Sequence, residues 1–383
     1  MDLRMDSDSR GAMPGIGRRS SPHPTRLVVR AGRWVALAAT SALISGCSDI
    51  EYYWQGIAGQ TDLLARAKPI PEVIATTSDA ALKGRLIRAQ EIRAFASREL
   101  GLPDNRSYTS YADLERPYAV WNVFAAPELS LTPRQWCFPV AGCVNYRGYF
   151  SEADARAEAS RLAALGDDVH LSGIPAYSTL GYFDDPVLST FVRYREVDLA
   201  RLIFHELAHQ VVYVKDDTAF NESFAVAVEE AGIARWLAHE AKVRGEGERE
   251  TLTAELQRGR ELRAEFRNMI GTTRERLTAL YASNATDEEK RAGKTEAFAA
   301  LRAAYETQKT ATGGGVSFDR WFTAGANNAG IAAMALYADR VPQFTALLAA
   351  ENGDLPRFYA RVKALGALPP AERESVLLAA VRP

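Results

Sequence analysis

The segment HELAH at residues 205–209 constrains this chain more than any other feature. Two histidines four positions apart lie on one face of a helix, so both rings can direct a nitrogen at one metal ion. Zinc accepts imidazole nitrogen readily. Glu206 directly follows His205 and can take a proton from a water that the metal activates, the general-base role in metalloprotease chemistry. The motif therefore predicts two zinc ligands, His205 and His209, and one catalytic carboxylate, Glu206.

Apolar residues surround the motif on both sides. Between Leu202 and Tyr213, Glu206 is the only charged residue. Such a run predicts a buried helix, in which unpaired polar groups are costly unless they have a use. The flanking residues therefore favour a metal site over the alternative, a core helix whose histidines are merely hydrogen-bonded.

A catalytic zinc site needs a third protein ligand and keeps its fourth position open. The segment NESFA at residues 221–225 offers Glu222 and resembles the N-E-x-F-A signature of gluzincin metallopeptidases, in which the glutamate is that ligand. Twelve residues separate His209 from Glu222, a shorter connection than those families use, and Glu229 lies nearer the familiar separation. We give the pattern more weight than the spacing and assign Glu222 as the third ligand.

Glu229 follows Glu222 by two turns along one face of a helix. It can therefore orient a histidine ligand through a hydrogen bond, or serve as the alternative third ligand. An ordinary surface or capping carboxylate is an equally good interpretation.

The two motifs, together with CFPVAGC at residues 137–143 and YRGYF at residues 146–150, resemble a family of bacterial aminopeptidases. Its members are predicted to depend on zinc and are often lipoproteins. The resemblance covers most of the chain after residue 47. It implies a zincin-like metallopeptidase fold, a peptide substrate, zinc on the three predicted ligands, and Glu206 as the catalytic residue.

Residues 1–46 have the three-part pattern of a signal peptide. A basic stretch comes first, an apolar run covers residues 34–44, and small residues precede Cys47. A cysteine at this position resembles a bacterial lipobox, which implies that Cys47 carries a lipid. We therefore expect residues 47–383 to be anchored in the bacterial cell envelope, at the outer membrane and facing the periplasm. The alternative is a plain secretory signal in which Cys47 is incidental.

The other two cysteines, Cys137 and Cys143, are six positions apart with a proline and a glycine between them. In an oxidising compartment such a pair favours a disulfide that closes a tight loop. Free thiols or metal ligands are the alternative, but zinc sites favour a shorter cysteine spacing and a second pair of ligands.

Composition places the chain among soluble globular proteins. Of its 383 residues, 47% are hydrophobic and 25% are charged, which is ample for a sizeable core. The formal net charge of −2 gives no indication of a nucleic-acid partner. We expect one domain over residues 47–383, of mainly helical α+β class with a small sheet.

Apolar periodicity and residue type predict the main elements. Helices are expected at residues 50–67, 80–100 and 152–165, a strand at 118–124, and a hairpin or further strands near residues 137–150. Residues 239–311 are rich in charge and in helix-forming types, which predicts a helical insertion or hairpin with turns at Gly271 and at residues 283–284.

The stretch at residues 169–178 reads as a strand just before the zinc-binding helix. Pro175 cannot donate to a ladder, so the strand is expected at a sheet edge. That edge either holds an extended substrate by strand addition or is a plain edge. His170 within it is expected to be a structural or surface residue.

Residues 318–344 are again less charged and contain Asn327, Asn328 and Tyr337. These side chains either line the substrate cleft, with Tyr337 donating to the tetrahedral oxyanion, or act as packing and capping groups. We favour the second interpretation for the asparagines. Tyr177 and Tyr213 are further candidate donors to the oxyanion.

Together these features predict a zinc metallopeptidase, an aminopeptidase of the cell envelope. The rival function is a non-catalytic envelope lipoprotein that contains zinc and acts as a binding or scaffold protein.

Overall fold

The computed structural model describes residues 51–138, 142–313, 317–335 and 340–380. The chain divides into two compact units, Met1–Trp54 and Gln55–Pro383. Of the first unit only residues 51–54 are described, and they are helical. The predicted signal peptide and Cys47 therefore lie outside the described residues. Within them, no helix is both long and apolar enough to cross a membrane.

Three helices open the second unit: α1 (residues 55–66), α2 (Ile70–Thr76) and α3 (Ala80–Leu100). The two predicted helices are confirmed, and α2 is an addition between them. Pro71 lies in the first turn of α2, where its missing N–H leaves no hydrogen bond unmade. The Asp79 side chain caps α3 by accepting from the Leu82 N–H, and Gly101 ends that helix with a φ of 64°.

The strands of the described residues form three small sheets: β1 (Lys68–Pro69), β2 (Ser110–Ala112), β3 (Val120–Pro127), β4 (Trp136–Phe138), β5 (Gly142–Val144), β6 (Arg147–Tyr149), β7 (Asp167–Ile174) and β8 (Val187–Leu188). One sheet has the order β6-β3-β7, with both pairings antiparallel. Residues 120–126 of β3 are all buried, because α4 (Glu152–Ala164) and another helix both pack on this strand. The small sheets and the predicted strand and hairpin are thus confirmed.

Strand β7 lies at an edge, as predicted, and ends at Ile174 just before Pro175. Its outer side is partly covered. The Leu171 N–H donates to the Ala324 carbonyl at 3.2 Å, and the Asn327 side chain donates to the Val169 carbonyl at 2.8 Å. At these two positions the edge cannot take up a peptide strand, which restricts the strand-addition interpretation.

The remaining elements of the described residues are helices: α5 (Glu196–His209), α6 (Thr218–Arg244), α7 (Glu246–Ala282), α8 (Asp287–Thr312), α9 (Asp319–Thr323), α10 (Asn328–Ala335), α11 (Val341–Ala350), α12 (Leu355–Gly366) and α13 (Pro370–Ala379). Helix α5 packs against α6 and α3 in the main core, where Phe95, Phe204 and Trp236 are buried side by side. The mainly helical α+β class is confirmed.

The charged segment forms α7 and α8, which pack against each other as a hairpin. The predicted turn at residues 283–284 is confirmed, and a capping box of Thr286 and Glu289 starts α8 after it. The predicted turn at Gly271 is wrong. Gly271 lies inside α7, because a helix tolerates one glycine at a cost of about 1 kcal/mol. Packing offsets that cost, since Phe266 and Leu277 join a second core with Trp321.

One carboxylate ties the start of α6 to the C-terminal helices. Asp217 caps α6 by accepting from the Phe220 N–H at 3.1 Å. The same side chain pairs with Arg340 and with Arg373, each at 2.9 Å. Arg373 is only 4% exposed. Its charge therefore depends on Asp217 for compensation.

We expect Asp217→Ala to lower the free energy of unfolding by about 3–5 kcal/mol, because it leaves the buried Arg373 guanidinium unpaired. Urea denaturation measures the loss. Asp354→Ala is the matched control, since Asp354 caps α12 at an exposed position and its loss should cost about 1 kcal/mol. Equal losses in the two variants would contradict this account of Asp217.

Candidate metal centre

Helix α5 holds the two histidines of the HELAH segment on its α6-facing side. Ile203, Phe204 and Leu207 are fully buried in the core. This apolar packing fixes the rotation of the helix and directs the remaining side chains toward the neighbouring helix. The Nε2 atoms of His205 and His209 lie 3.2 Å apart.

The connection from α5 to α6 covers residues 210–217 and is braced at two points. The Asn221 side chain accepts from the Val214 N–H at 2.7 Å and donates to the Val214 carbonyl at 2.8 Å. Asp216, with a φ of 64°, accepts from the Cys143 N–H at 2.6 Å. These contacts explain how so short a connection turns back and places Glu222 in the second turn of α6.

The hairpin of β4 and β5 that braces Asp216 contains the predicted disulfide. Cys137 and Cys143 are directly opposite each other in the β4–β5 register, and their sulfur atoms are bonded. An added Cβ at Gly142 would lie 1.9 Å from the Asp216 carboxylate. Glycine is therefore needed where the hairpin touches the connection between the two helices.

Three of the predicted site residues converge on one point. Glu222 oxygens lie 3.3 Å from His205 Nε2 and 3.6 Å from His209 Nε2, and all three ligand atoms lie within 4.8 Å of one another. Zinc with tetrahedral bonds of 2.0–2.1 Å keeps its ligand atoms about 3.3 Å apart. The donor set of two imidazoles and one carboxylate, at this spacing, therefore fits a zinc ion.

The protonation of the two histidines differs. Burial lowers the pKa of His209 to about 4, so its imidazole is neutral, the form that binds a metal. Burial acts in the same direction on the pKa of His205, but hydrogen bonds to Glu222 and Glu229 outweigh it and raise that pKa well above its ordinary value. The carboxylates around His205 thus make this corner of the site favourable for a cation.

The structure places Glu229 beside the other nitrogen of His205, with Oε2 3.3 Å from Nδ1. Glu229 is buried and also pairs with Arg201. Although burial alone would raise its pKa, His205 and Arg201 lower it, which keeps the carboxylate charged. This geometry fits a residue that orients His205 and excludes the surface interpretation. Within the described residues, His209 Nδ1 has no corresponding partner.

Glu206 lines an open cleft next to His205. Burial raises its pKa to about 7, the nearby His205 lowers it, and Glu222 adds to the increase. A carboxyl group that titrates near neutral pH can both accept and return a proton. Its position and pKa suit the role predicted for it.

The predicted donors to an oxyanion fall in different places. Tyr337 lies outside the described residues. Tyr177 donates its hydroxyl proton to Gln60 and is committed to that contact. Tyr213 is 39% exposed, and burial followed by the Glu222 charge raises its pKa. Among the described tyrosines that the sequence suggested, Tyr213 is thus the one within electrostatic reach of the converging residues.

Asn327 and Asn328 do not line the cleft. Asn327 accepts from the Gly330 N–H and donates to β7, while Asn328 donates to the Glu128 carbonyl and accepts from Tyr281. They are packing and capping groups, which confirms the favoured interpretation. His170 is also structural, since it is buried and its Nδ1 lies 2.9 Å from the Gly325 carbonyl.

The cleft has a volume of about 540 Å³ and contains residues that sequence reasoning missed. Its described lining comprises Tyr194, Arg195, Asp198, Arg201, Leu202, His205, Glu206, Glu229 and Arg263. Arg201 precedes His205 by one turn, so helical spacing could have indicated it. No spacing relates Arg263 to the motif, because it comes from α7 and reaches the cleft only through the packing of α7 against α6.

The sequence matches the protein family described as "Putative aminopeptidase" over residues 51–377. The chain belongs to this family. The match includes every converging residue and the whole described lining of the cleft. Membership in the aminopeptidase family indicates peptidase activity and a peptide substrate. No curated protein and no solved structure matches the sequence.

Proposed function

We propose that the protein is a zinc metallopeptidase with a zincin-like site that hydrolyses peptide bonds in the bacterial cell envelope. One observation carries the proposal: His205, His209 and Glu222 converge within 4.8 Å beside an open cleft that Glu206 lines. Membership in the aminopeptidase family supports the same reaction class.

Each residue at the site has a separate task. The Nε2 atoms of His205 and His209 and an oxygen of Glu222 would hold the zinc. When bound, zinc polarises the peptide carbonyl and makes water a stronger nucleophile near neutral pH. Glu206 accepts the proton of the attacking water and returns it to the leaving amine nitrogen. Glu229 keeps the His205 ring in position through its Nδ1.

The reaction also needs a donor that stabilises the negative charge of the tetrahedral oxyanion. Tyr213 is our candidate among the described residues, since its raised pKa keeps the hydroxyl protonated and able to donate. Tyr337 remains the candidate from the sequence.

The proposed location rests on the signal-peptide pattern and on Cys47 as a lipid attachment site. We infer that the lipid holds the protein at the outer membrane, facing the periplasm. The disulfide between Cys137 and Cys143 supports this location, because disulfides persist in oxidising compartments and are rare in the cytosol.

The rival function, a non-catalytic envelope lipoprotein, is disfavoured by the arrangement of the site. A structural zinc site is closed by four protein ligands. In the described part of the chain three ligand residues converge, and the adjoining cleft contains Glu206, whose pKa burial raises to about 7.

The test is metal removal from the purified protein. We expect about one zinc ion per chain, as a single three-ligand site requires. Hydrolysis of a mixed peptide library, followed by mass spectrometry, should stop after chelation and return with zinc but not with magnesium. Zinc without cleavage of any peptide would favour the scaffold function, and protein without zinc would disprove the metal site.

A further inference from the structure

The cleft contains a positively charged side chain that has no carboxylate partner among the described residues. Arg263 lines the cleft together with His205 and Glu206 and is partly buried. Within the described part of the chain, Arg263 forms no ion pair, because no carboxylate oxygen lies within 4.0 Å of its guanidinium nitrogens. A desolvated guanidinium in this state is unfavourable unless an anion compensates it.

The neighbouring carboxylates are already engaged. Asp198 pairs with Arg195 at 2.7 Å, and Glu229 contacts both Arg201 and His205. Among the described residues that line the cleft, this leaves Glu206 as the carboxylate without an ion pair, and its task lies at the metal. Among the described residues of the lining, Arg263 is therefore the arginine without an ion-pair partner.

The Arg263 side chain lies back along the helix that carries it. Gly259 precedes it by one turn of α7, and an added Cβ at Gly259 would lie 3.2 Å from Nη2 of Arg263. The guanidinium thus lies over a glycine that leaves room for it. Burial lowers the pKa of Arg263 to about 10, and the Arg201 charge contributes, so the group still carries its charge at neutral pH.

We propose that Arg263 binds a carboxylate of the substrate. The guanidinium presents a planar set of N–H donors that matches a carboxylate, with two parallel hydrogen bonds. That the carboxylate belongs to a peptide rests on the proposed function. It comes either from the C-terminus of the peptide or from an Asp or Glu side chain.

This assignment also restricts the position of the amino end of the substrate. The α-ammonium group of a peptide is repelled by the guanidinium of Arg263. The amino end of the substrate therefore lies away from Arg263, and the carboxylate occupies the end of the cleft that α7 forms.

The test is a binding measurement on the full protein carrying Glu206→Gln, which slows turnover by about 10²- to 10⁴-fold. Isothermal titration calorimetry compares an N-acetylated tripeptide that has a free C-terminus with its C-terminal amide, and a glutamate-containing peptide amide with its glutamine counterpart. We expect one of the two acids to bind about 10- to 100-fold more tightly than its neutral partner, as hydrogen bonds to charged groups predict. The pair that shows the preference identifies the source of the carboxylate.

Adding Arg263→Met should bring that ratio close to unity without weakening the neutral peptides. Arg263→Lys keeps the charge but loses the paired donors, so an intermediate ratio is expected. Arg260→Gln is the matched control, because Arg260 is an exposed cation one turn earlier on α7 and should keep the full ratio.

Equal binding of acids and amides, or a preference that survives in both the Met and the Lys variants, would overturn the proposal. Since the readout is binding and not cleavage, a protein that cleaves no peptide still gives a clear result for Arg263. Failure of the proposed function and failure of this inference are thus distinguishable.

Discussion

Glu206→Gln is expected to leave the zinc content unchanged and to lower peptide turnover by about 10²- to 10⁴-fold, the range that general acid–base catalysis contributes. Glutamine has the shape of glutamate but cannot accept the proton of the attacking water. The side chain belongs to the lining of the cleft and not to the three converging residues, so its replacement should not disturb the metal. Zinc analysis and peptide hydrolysis on the same preparation measure both effects.

Glu230→Gln provides the matched control for this variant. Glu230 is a partly exposed carboxylate on α6 that lies 3.9 Å from Arg260. Its replacement changes the charge of the protein equally but should leave turnover unaffected. Full turnover in the Glu206 variant would rule out the proposed mechanism.

Glu222→Ala is expected to abolish zinc retention, whereas Glu229→Gln should weaken zinc binding by only about 10- to 100-fold, as loss of a partner behind a ligand does. The difference follows from geometry, since Glu222 faces both Nε2 atoms and Glu229 faces Nδ1 of His205. Competition with a chromophoric chelator measures both affinities.

Glutamine at position 229 retains an oxygen for Arg201, so this variant should fold even though the site is buried. Loss of zinc in the Glu229 variant alone would identify Glu229 as the third ligand, as the spacing along the sequence suggested. Comparable loss in both variants would show that the two carboxylates act as one unit.

Local helical geometry explains why sequence reasoning could name residues that the structure brings together. His205 and His209 share a helix face in any fold, and Glu222 and Glu229 share one for the same reason. Spacing alone could not decide whether Glu222 or Glu229 is the third ligand. The position of Glu222 depends on how Asn221 and Asp216 brace the backbone of residues 210–217. Those braces involve a distant hairpin that sequence periodicity does not reveal.

Features that depend on packing between distant segments were missed or misjudged. Arg263 belongs to no recognisable sequence motif, and the packing of α7 against α6 brings it to the cleft. Gly271 was predicted to end a helix, but contacts of α7 with the second core keep the helix continuous. The cover on β7 comes from residues 324–327, more than 150 positions away along the chain.

Glu206 and the three converging residues lie on two successive helices, between residues 205 and 222, whereas Arg263 comes from the third helix. Leu256 and Phe266, on either side of Arg263 in α7, pack into different cores. Substitutions on the stretch between them can alter what the cleft accepts without shifting the ligand atoms. Substrate preference and catalytic competence can thus diverge separately in evolution. Position 263 is the first position to vary in order to change the substrate preference of the protein.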